Sequence, residues 1–407
     1  MLRGFGRIFA YWRAERRTIT QGFVGMATAS VGSLVAGIAL GSITDTLERF
    51  PGLIILVPAA VSLQGSIFGA LGSRLGTSIH AGLFVPTRER QGVLYQNVAA
   101  VVVLVLVVSL LLGVVARTLS VAIGVESISM LGFIVIALVG GVLASLVVLG
   151  FTLSLARRAH QQGWDLDSVA APLITAVGDM ATVPCLFVAT FLLQVPVLTP
   201  AVAAVGAAAG IFLFIRTLRT DLPLAKRVVR ESIAVLVVFG TVDLVAGLFI
   251  ESRLERFIEL PALLVLLPPF LEGAGALGGI LSSRLSSKLH LGVLSPRGLP
   301  EGVAWLDATI IFLFALFMFA LRGLVAGVAG EVMGLASPGI LPMVGVSLVG
   351  GLLATSLAVV LAYYTAIATT RLGLDPDNHG IPIITSTMDL LGVIAFMIGL
   401  LALGVGS

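Results

Sequence analysis

The chain has 407 residues, of which 58% are hydrophobic and only 11% charged, and its formal net charge is +3. A soluble domain carries about a quarter charged residues, so too few polar side chains are present here to cover a water-soluble protein of this size. A soluble fold is excluded, and the small basic excess needs no nucleic-acid partner once it is placed at membrane boundaries.

From the amino end, residues 1–18 form a short basic segment without the apolar run of a secretory signal. Five apolar spans follow, near 20–46, 51–73, 92–118, 129–157 and 168–195, then one near 199–217. Five more lie near 231–251, 261–283, 302–330, 339–370 and 379–405. Runs such as Val98–Leu112 are apolar around every helical face, which leaves no side for water. About 20 residues of helix cross about 30 Å of hydrocarbon, and these spans are that long or longer. The alternation of an outer-membrane strand is missing. The expected fold is an all-α integral membrane protein with about 11 transmembrane helices. Cys185 is alone, and His80, His160, His290 and His379 show no zinc spacing.

The chain repeats itself with an offset of 210 residues. Pro51–His80 reads PGLIILVPAAVSLQGSIFGALGSRLGTSIH and Pro261–His290 reads PALLVLLPPFLEGAGALGGILSSRLSSKLH. The same offset aligns Asp165–Asp179 (DLDSVAAPLITAVGD) with Asp375–Asp389 (DPDNHGIPIITSTMD). One ungapped offset over two distant segments indicates a tandem duplication. The expected organisation is a cytosolic basic segment at 1–18, a first five-helix repeat at 19–196, a linking transmembrane helix and cytosolic loop at 197–229, and a second repeat at 230–407. Because five is odd, the linking helix restores the starting side and makes the repeats parallel. With a cytosolic N-terminus, 19 of the 24 Lys and Arg residues fall on the inner side. Arg49, Arg117, Arg253, Arg256 and Arg322 fall on the outer one, so a plasma-membrane protein with an external C-terminus is expected.

A carboxylate at the centre of a membrane helix costs about 2.5–3.5 kcal/mol on insertion scales, so its presence needs a reason. Asp179 lies near mid-bilayer in its span and Asp389 occupies the equivalent place. Two such acids about a pseudo-two-fold axis repel each other unless a cation or proton lies between them. Thr175 and Thr385 precede them by four residues, on the same helical face. Pro172 and Pro382 each remove an amide, and the freed carbonyls could face water or an ion. A helix-bonded, purely structural aspartate pair is the bland alternative. The second span of each repeat is the other candidate wall, interrupted at Pro58, Ser62, Gln64, Gly65 and Ser66 and at Pro268, Pro269, Glu272, Gly273 and Gly275. Such breaks mark helices that line a cavity, although small residues also permit close packing. Gln64, Ser66, Glu272 and the buried acid Asp243 are therefore candidate pathway residues. Asp167 and Asp377 stand at helix starts, where acids cap the helix and favour its dipole, or draw cations to an inner mouth. Arg74 and Arg284 are read as inner-interface anchors.

The segments PxxxxxxPxxxxxxG…SRL and DxDxxxxPxITxxxD, each present twice, resemble the MgtE and solute carrier family 41 group of Mg²⁺ channels and transporters. The likeness spans about residues 20–405. It implies a five-helix pore unit used twice in this chain, with Asp179 and Asp389 as the pore aspartates and Thr175 and Thr385 contributing backbone one turn away. The family's polar stretch on the second helix is approximated by Gln64-Gly65-Ser66 and departs at Ala274-Gly275-Ala276. Only about 18 residues precede the first helix, so gating is expected within the membrane or from a partner.

The chemistry agrees, because Mg²⁺ keeps its waters and prefers oxygen ligands, and no Cys, Met or His aligns at the site to favour a softer metal. The expected function is transmembrane transport of a divalent cation, Mg²⁺ first, through a central pathway between the repeats, with no cofactor and no enzymatic activity. An exchanger coupled to Na⁺ or H⁺, with Glu272 and Asp243 carrying the coupled charge, is the alternative. An intramembrane aspartyl protease also needs two membrane aspartates. However, Ala176 and Met388 break its motifs, and Pro261-Ala262-Leu263 belongs to the duplication.

Overall fold

The computed structural model describes residues 2–82, 89–162, 166–296, 298–300, 302–372 and 380–405, without the side chains of residues 166–172 and a few other helix-end positions. Every regular element among them is helical. Apolar sequence in hydrocarbon leaves the backbone no partner but itself, and a helix satisfies each N–H and C=O within its own segment. In chain order the helices are α1 (Leu2–Ala14), α2 (Arg16–Gly41), α3 (Thr44–Arg49), α4 (Leu53–His80), α5 (Val93–Ile123), α6 (Met130–Gln162) and α7 (Leu166–Thr190). They continue as α8 (Leu198–Arg219), α9 (Pro223–Glu251), α10 (Leu254–Glu259), α11 (Ala262–His290), α12 (Gly302–Val332), α13 (Ile340–Leu372) and α14 (Ile381–Ala402). Eleven of them, all but α1, α3 and α10, are long and apolar enough to cross a membrane.

The duplication extends to details that hydropathy does not show. The short helices α3 and α10 recur 210 residues apart. Helix α5 ends at Gly124 with φ +79°, where the N–H of Val125 reaches back to Ser120 O at 2.9 Å. Helix α12 is closed in the same way, with Leu335 N–H bonded to Gly330 O at 2.9 Å, followed by Gly334 at φ +67°. Both are left-handed glycine stops of the kind that satisfy the last orphan carbonyls.

The chain forms two compact units, Ser42–Leu254 and Met1–Gly41 with Glu255–Ser407. The first gathers α4 to α7 with α8 and α9; the second gathers α11 to α14 with α1 and α2. The packed unit thus differs from the sequence repeat by one helix, since each repeat's first long helix packs with the other repeat's remaining four. In one unit α9 crosses α4 where Gly247 lies so close to the backbone of Ile55 that a Cβ would sit 2.4 Å from its carbonyl oxygen. In the other, α2 crosses α11 at Gly37, where a Cβ would sit 2.1 Å from the carbonyl oxygen of Val265. These four positions are related by the same offset. Only glycine permits backbones this close, and in lipid such contact replaces the hydrophobic effect as the force between helices.

Inside the units the two repeats solve the same packing problem differently. In the unit built on α11 to α14, Phe270 packs against Phe319 and Phe396 with ring centroids 5.1 and 5.0 Å apart. Ala60, Ser109 and Leu186 hold the equivalent places in the other unit. There a small, mostly apolar hollow lies against Ala60, Leu63, Gln64, Ser109, Leu112 and Gly141.

Candidate ion site

Asp179 lies on α7 and is 4% exposed. Asp389, on α14, is half-buried. Each stands one turn beyond a half-buried threonine, Thr175 or Thr385. In both units that face meets the polar, glycine-rich stretch of the Pro-bearing helix. A Cβ on Gly65 of α4 would be 3.7 Å from Thr175 Cγ2, and one on Gly275 of α11 would be 3.7 Å from Thr385 Cγ2. The threonine faces of α7 and α14 thus pack on these glycines at a distance where a methyl group would make ordinary contact. One residue before the acids, Gly178 faces the Cβ of Gln64 at 3.4 Å from where its own Cβ would be. The second repeat has Met388 and Ala274 in these places, so bulk has moved from α4 to α14 while Thr and Asp stay in register.

The remaining residues expected at the pathway are placed as follows. Gln64 is 1% exposed, and its amide is turned to α6, donating to Gly141 O at 3.1 Å and Ser145 Oγ at 3.0 Å. Ser66 is half-buried on the same helix. Asp243 is 1% exposed on α9, opposite Ser33 by the offset, which bonds its own helix. Glu272 is ion-paired with Arg322 of α12, which also donates to Ser30 Oγ of α2 at 2.7 and 2.9 Å. Asp377 lies outside the described residues, as does the side chain of Asp167. Among the described residues no three His, Cys, Asp or Glu side chains converge as a metal cage would require.

Two readings of the sequence are corrected. Arg322, counted among the outer basic residues, is 3% exposed and lies within α12, so it carries no topology signal. Pro382 sits in the first turn of α14, where a missing N–H costs no intrahelical bond, so no mid-helix carbonyl is freed by it. Sequence reasoning also missed a second buried cluster. Asp307 of α12 is fully buried and accepts from Arg284 Nη2 at 2.6 Å, from Lys288, and from Tyr11 of α1 at 2.7 Å. In the first repeat the same positions hold Arg74 and Asn97, bonded at 2.8 Å, and Ser78. The signal was available as a charge change across the offset, from Asn97 to Asp307 and from Ser78 to Lys288.

Comparison with known proteins decides the family. The model of the MgtE divalent cation transporters matches residues 57–189 and again 267–399. The chain belongs to the MgtE family. The two matched MgtE segments are of equal length and 210 residues apart, which is the offset read from the sequence. Solute carrier family 41 member 3 of Mus musculus is 27% identical over 88% of this chain and 78% of its own length. The Rattus norvegicus member 3 is 27% identical over 92% and 85%, and member 2 of Xenopus laevis 25% identical over 89% and 68%. No solved structure matches. Both candidate aspartates, both threonines and the facing stretches of α4 and α11 lie inside the matched MgtE segments.

Proposed function

We propose that this multi-pass MgtE-family protein carries Mg²⁺ across the plasma membrane, with Asp179 and Asp389 as the acids that hold the ion and Thr175 and Thr385 contributing backbone oxygens. The observation that carries this reading is the register: an acid and a threonine one turn apart, at the same place in both family-matched segments, with Gly65 and Gly275 opposite the two threonines. A carboxylate pair with few other direct ligands suits an ion that keeps its inner waters, as Mg²⁺ does. The equivalence of the two acids supports their acting on the same ion, which offsets both their burial and their mutual repulsion.

The test is divalent flux and binding in proteoliposomes for Asp179→Asn, Asp389→Asn and the double variant, with Mg²⁺, Mn²⁺ and Co²⁺ compared. Each single change is expected to remove most divalent transport, and the double to add much less than the sum of the two losses. Thr175→Ala and Thr385→Ala should cost far less. Additive losses, or full transport with Asp179 replaced in a monodisperse protein, would overturn the reading. Repeating wild-type flux with and without Na⁺ and pH gradients separates a channel from an exchanger.

A further inference from the structure

The ion pair of partly buried Glu272 with buried Arg322 has no charged counterpart in the first repeat. By the offset, Glu272, Arg322 and Ser30 correspond to Ser62, Leu112 and Gly240. The neutral trio is self-consistent, because a Cβ on Gly240 would approach Leu112 Cδ2 to 2.8 Å. The charged trio is equally fitted. A Cβ on Gly273 would overlap the guanidinium of Arg322, so glycine makes the cradle in which that group lies. Arg322 is 3% exposed, bonds Glu272 and Ser30, and leaves Nη1 without a hydrogen-bond partner. A pair made only to hold helices together would be expected to satisfy every buried donor, since an unmade bond in a low-dielectric site is costly. Neutral side chains demonstrably fill the same place in the other unit. Pro268 and Pro269 lie one turn before Glu272 inside α11, which runs unbroken past them, contrary to the interruption expected from the sequence, but lacks two amide donors to its ladder there.

We propose that Glu272 is a second cation site of this transporter, and that the guanidinium of Arg322 is a tethered cation that fills it in the state seen here and gives it up when a small cation enters. A tether suits this place. The pair lies about ten residues, or about 15 Å of helix, from the start of α11, too deep for arginine to reach water by extension. Release of Glu272 therefore requires a replacement positive charge. The inference rests on the transport reading but not on the Asp179 and Asp389 site, and the first arm of its test is made with that site removed.

In the Asp179→Asn/Asp389→Asn background, thermal stability of the purified protein is measured in Na⁺, K⁺ and Mg²⁺ at constant ionic strength set with choline. Arg322→Gln should create a cation-dependent stabilisation that is absent from the background and abolished by adding Glu272→Gln. A folded Arg322→Gln protein indifferent to cations overturns the proposal. The second arm does not depend on that variant folding. With Asp179 and Asp389 intact, the triple change Ser30→Gly, Glu272→Ser and Arg322→Leu installs the arrangement the first repeat already packs. It should keep the thermal midpoint within a few degrees yet lower flux about tenfold, within the range of a lost site–site coupling. Wild-type flux in that triple variant, or flux lost only in proportion to folded protein, shows that the pair is structural and overturns the proposal. Failure of the Asp179 and Asp389 reading would appear instead in the single Asp→Asn variants, which leave Glu272 and Arg322 untouched.

Discussion

Asp307→Asn should destabilise the protein by about 2 kcal/mol, and a second change should restore most of it. The carboxylate has no exposed surface and neutralises two cations, Arg284 and Lys288, whose side chains are 13% and 19% exposed. Removing one partner of a fully buried pair costs about 3–5 kcal/mol, because the other charge is left uncompensated. Here the loss is smaller for three reasons. Both cations keep some solvent, Glu15 remains 3.2 Å from Arg284, and an asparagine oxygen still accepts from the guanidinium, as Asn97 does from Arg74 at 2.8 Å. The stranded group is Lys288, for which the first repeat has Ser78. The double variant Asp307→Asn/Lys288→Ser reproduces the neutral arrangement of that repeat and should recover at least half of the lost stability. Tyr11 gives an independent readout. Its hydroxyl is pushed above the ordinary tyrosine value, chiefly by burial and then by Asp307 against the opposing pull of Lys288, so it stays protonated and donates to the carboxylate. Replacing the carboxylate by a weaker, neutral amide acceptor should loosen α1, seen as faster labelling of a cysteine placed at Phe9, an exposed position. The assay is a thermal-midpoint series on the two single variants and the double. An Asp307→Asn protein as stable as wild type, or a double variant less stable than the single, would refute the argument.

Two further outcomes follow from the same coordinates. Gly37→Leu and Gly247→Leu should each lower stability by about 3 kcal/mol or more, above the usual range for overpacking, because the obstruction is backbone and cannot rotate away. Gly25→Leu, on α2 with nothing within 4 Å of its Cβ, is the control and should be tolerated. Thermal melts and yield of monodisperse protein check all three, and a stable Gly37→Leu protein would contradict the close crossing. With the N-terminus cytosolic, a cysteine at Arg219 should be labelled only from the cytosolic side and one at Glu126 only from outside. The reverse pattern, or both from one side, would remove the proposed orientation.

The apolar spans, the duplication and the acids at mid-helix were legible because each depends on residue type along the chain. Helix ends were less so. The second span was expected to close at Ser73, yet α4 runs on to His80. Hydropathy stops at Arg74, Thr77 and Ser78, whereas the helix continues because Arg74 finds Asn97 on α5. The exchange of α2 and α9 between packed units was not legible at all. Both helices are apolar with a Val-Ala-Gly step at the crossing, and the same step serves whichever repeat they pack with. Arg322 was misplaced for a related reason: its partner Glu272 is fifty residues away, and a lone arginine near the end of an apolar run reads as a boundary. Comparison across the offset would have exposed it, since the neutral pair Ser62 and Leu112 stands where the second repeat has Glu272 and Arg322.

That paired change bears on how the halves of this transporter work. Duplicated repeats begin identical, and any substitution in a packed membrane helix must be met by its neighbour. Gln64 with Gly178 against Ala274 with Met388 is such a compensation, a transfer of volume that leaves Thr175, Asp179, Thr385 and Asp389 undisturbed. The change from Ser62 and Leu112 to Glu272 and Arg322 is different in kind. It introduces two charges where none is needed for packing, at a depth where a charged side chain is costly even on the mildest scales. Volume compensation accounts for the first change and does not account for the second. Under the proposed role of Glu272, a cation would meet a carboxylate with a displaceable guanidinium in one half and a serine in the other, so the two halves would not act alike. The neutral triple variant therefore matters more than either single substitution, since it removes the charges while keeping a packing solution this chain already uses.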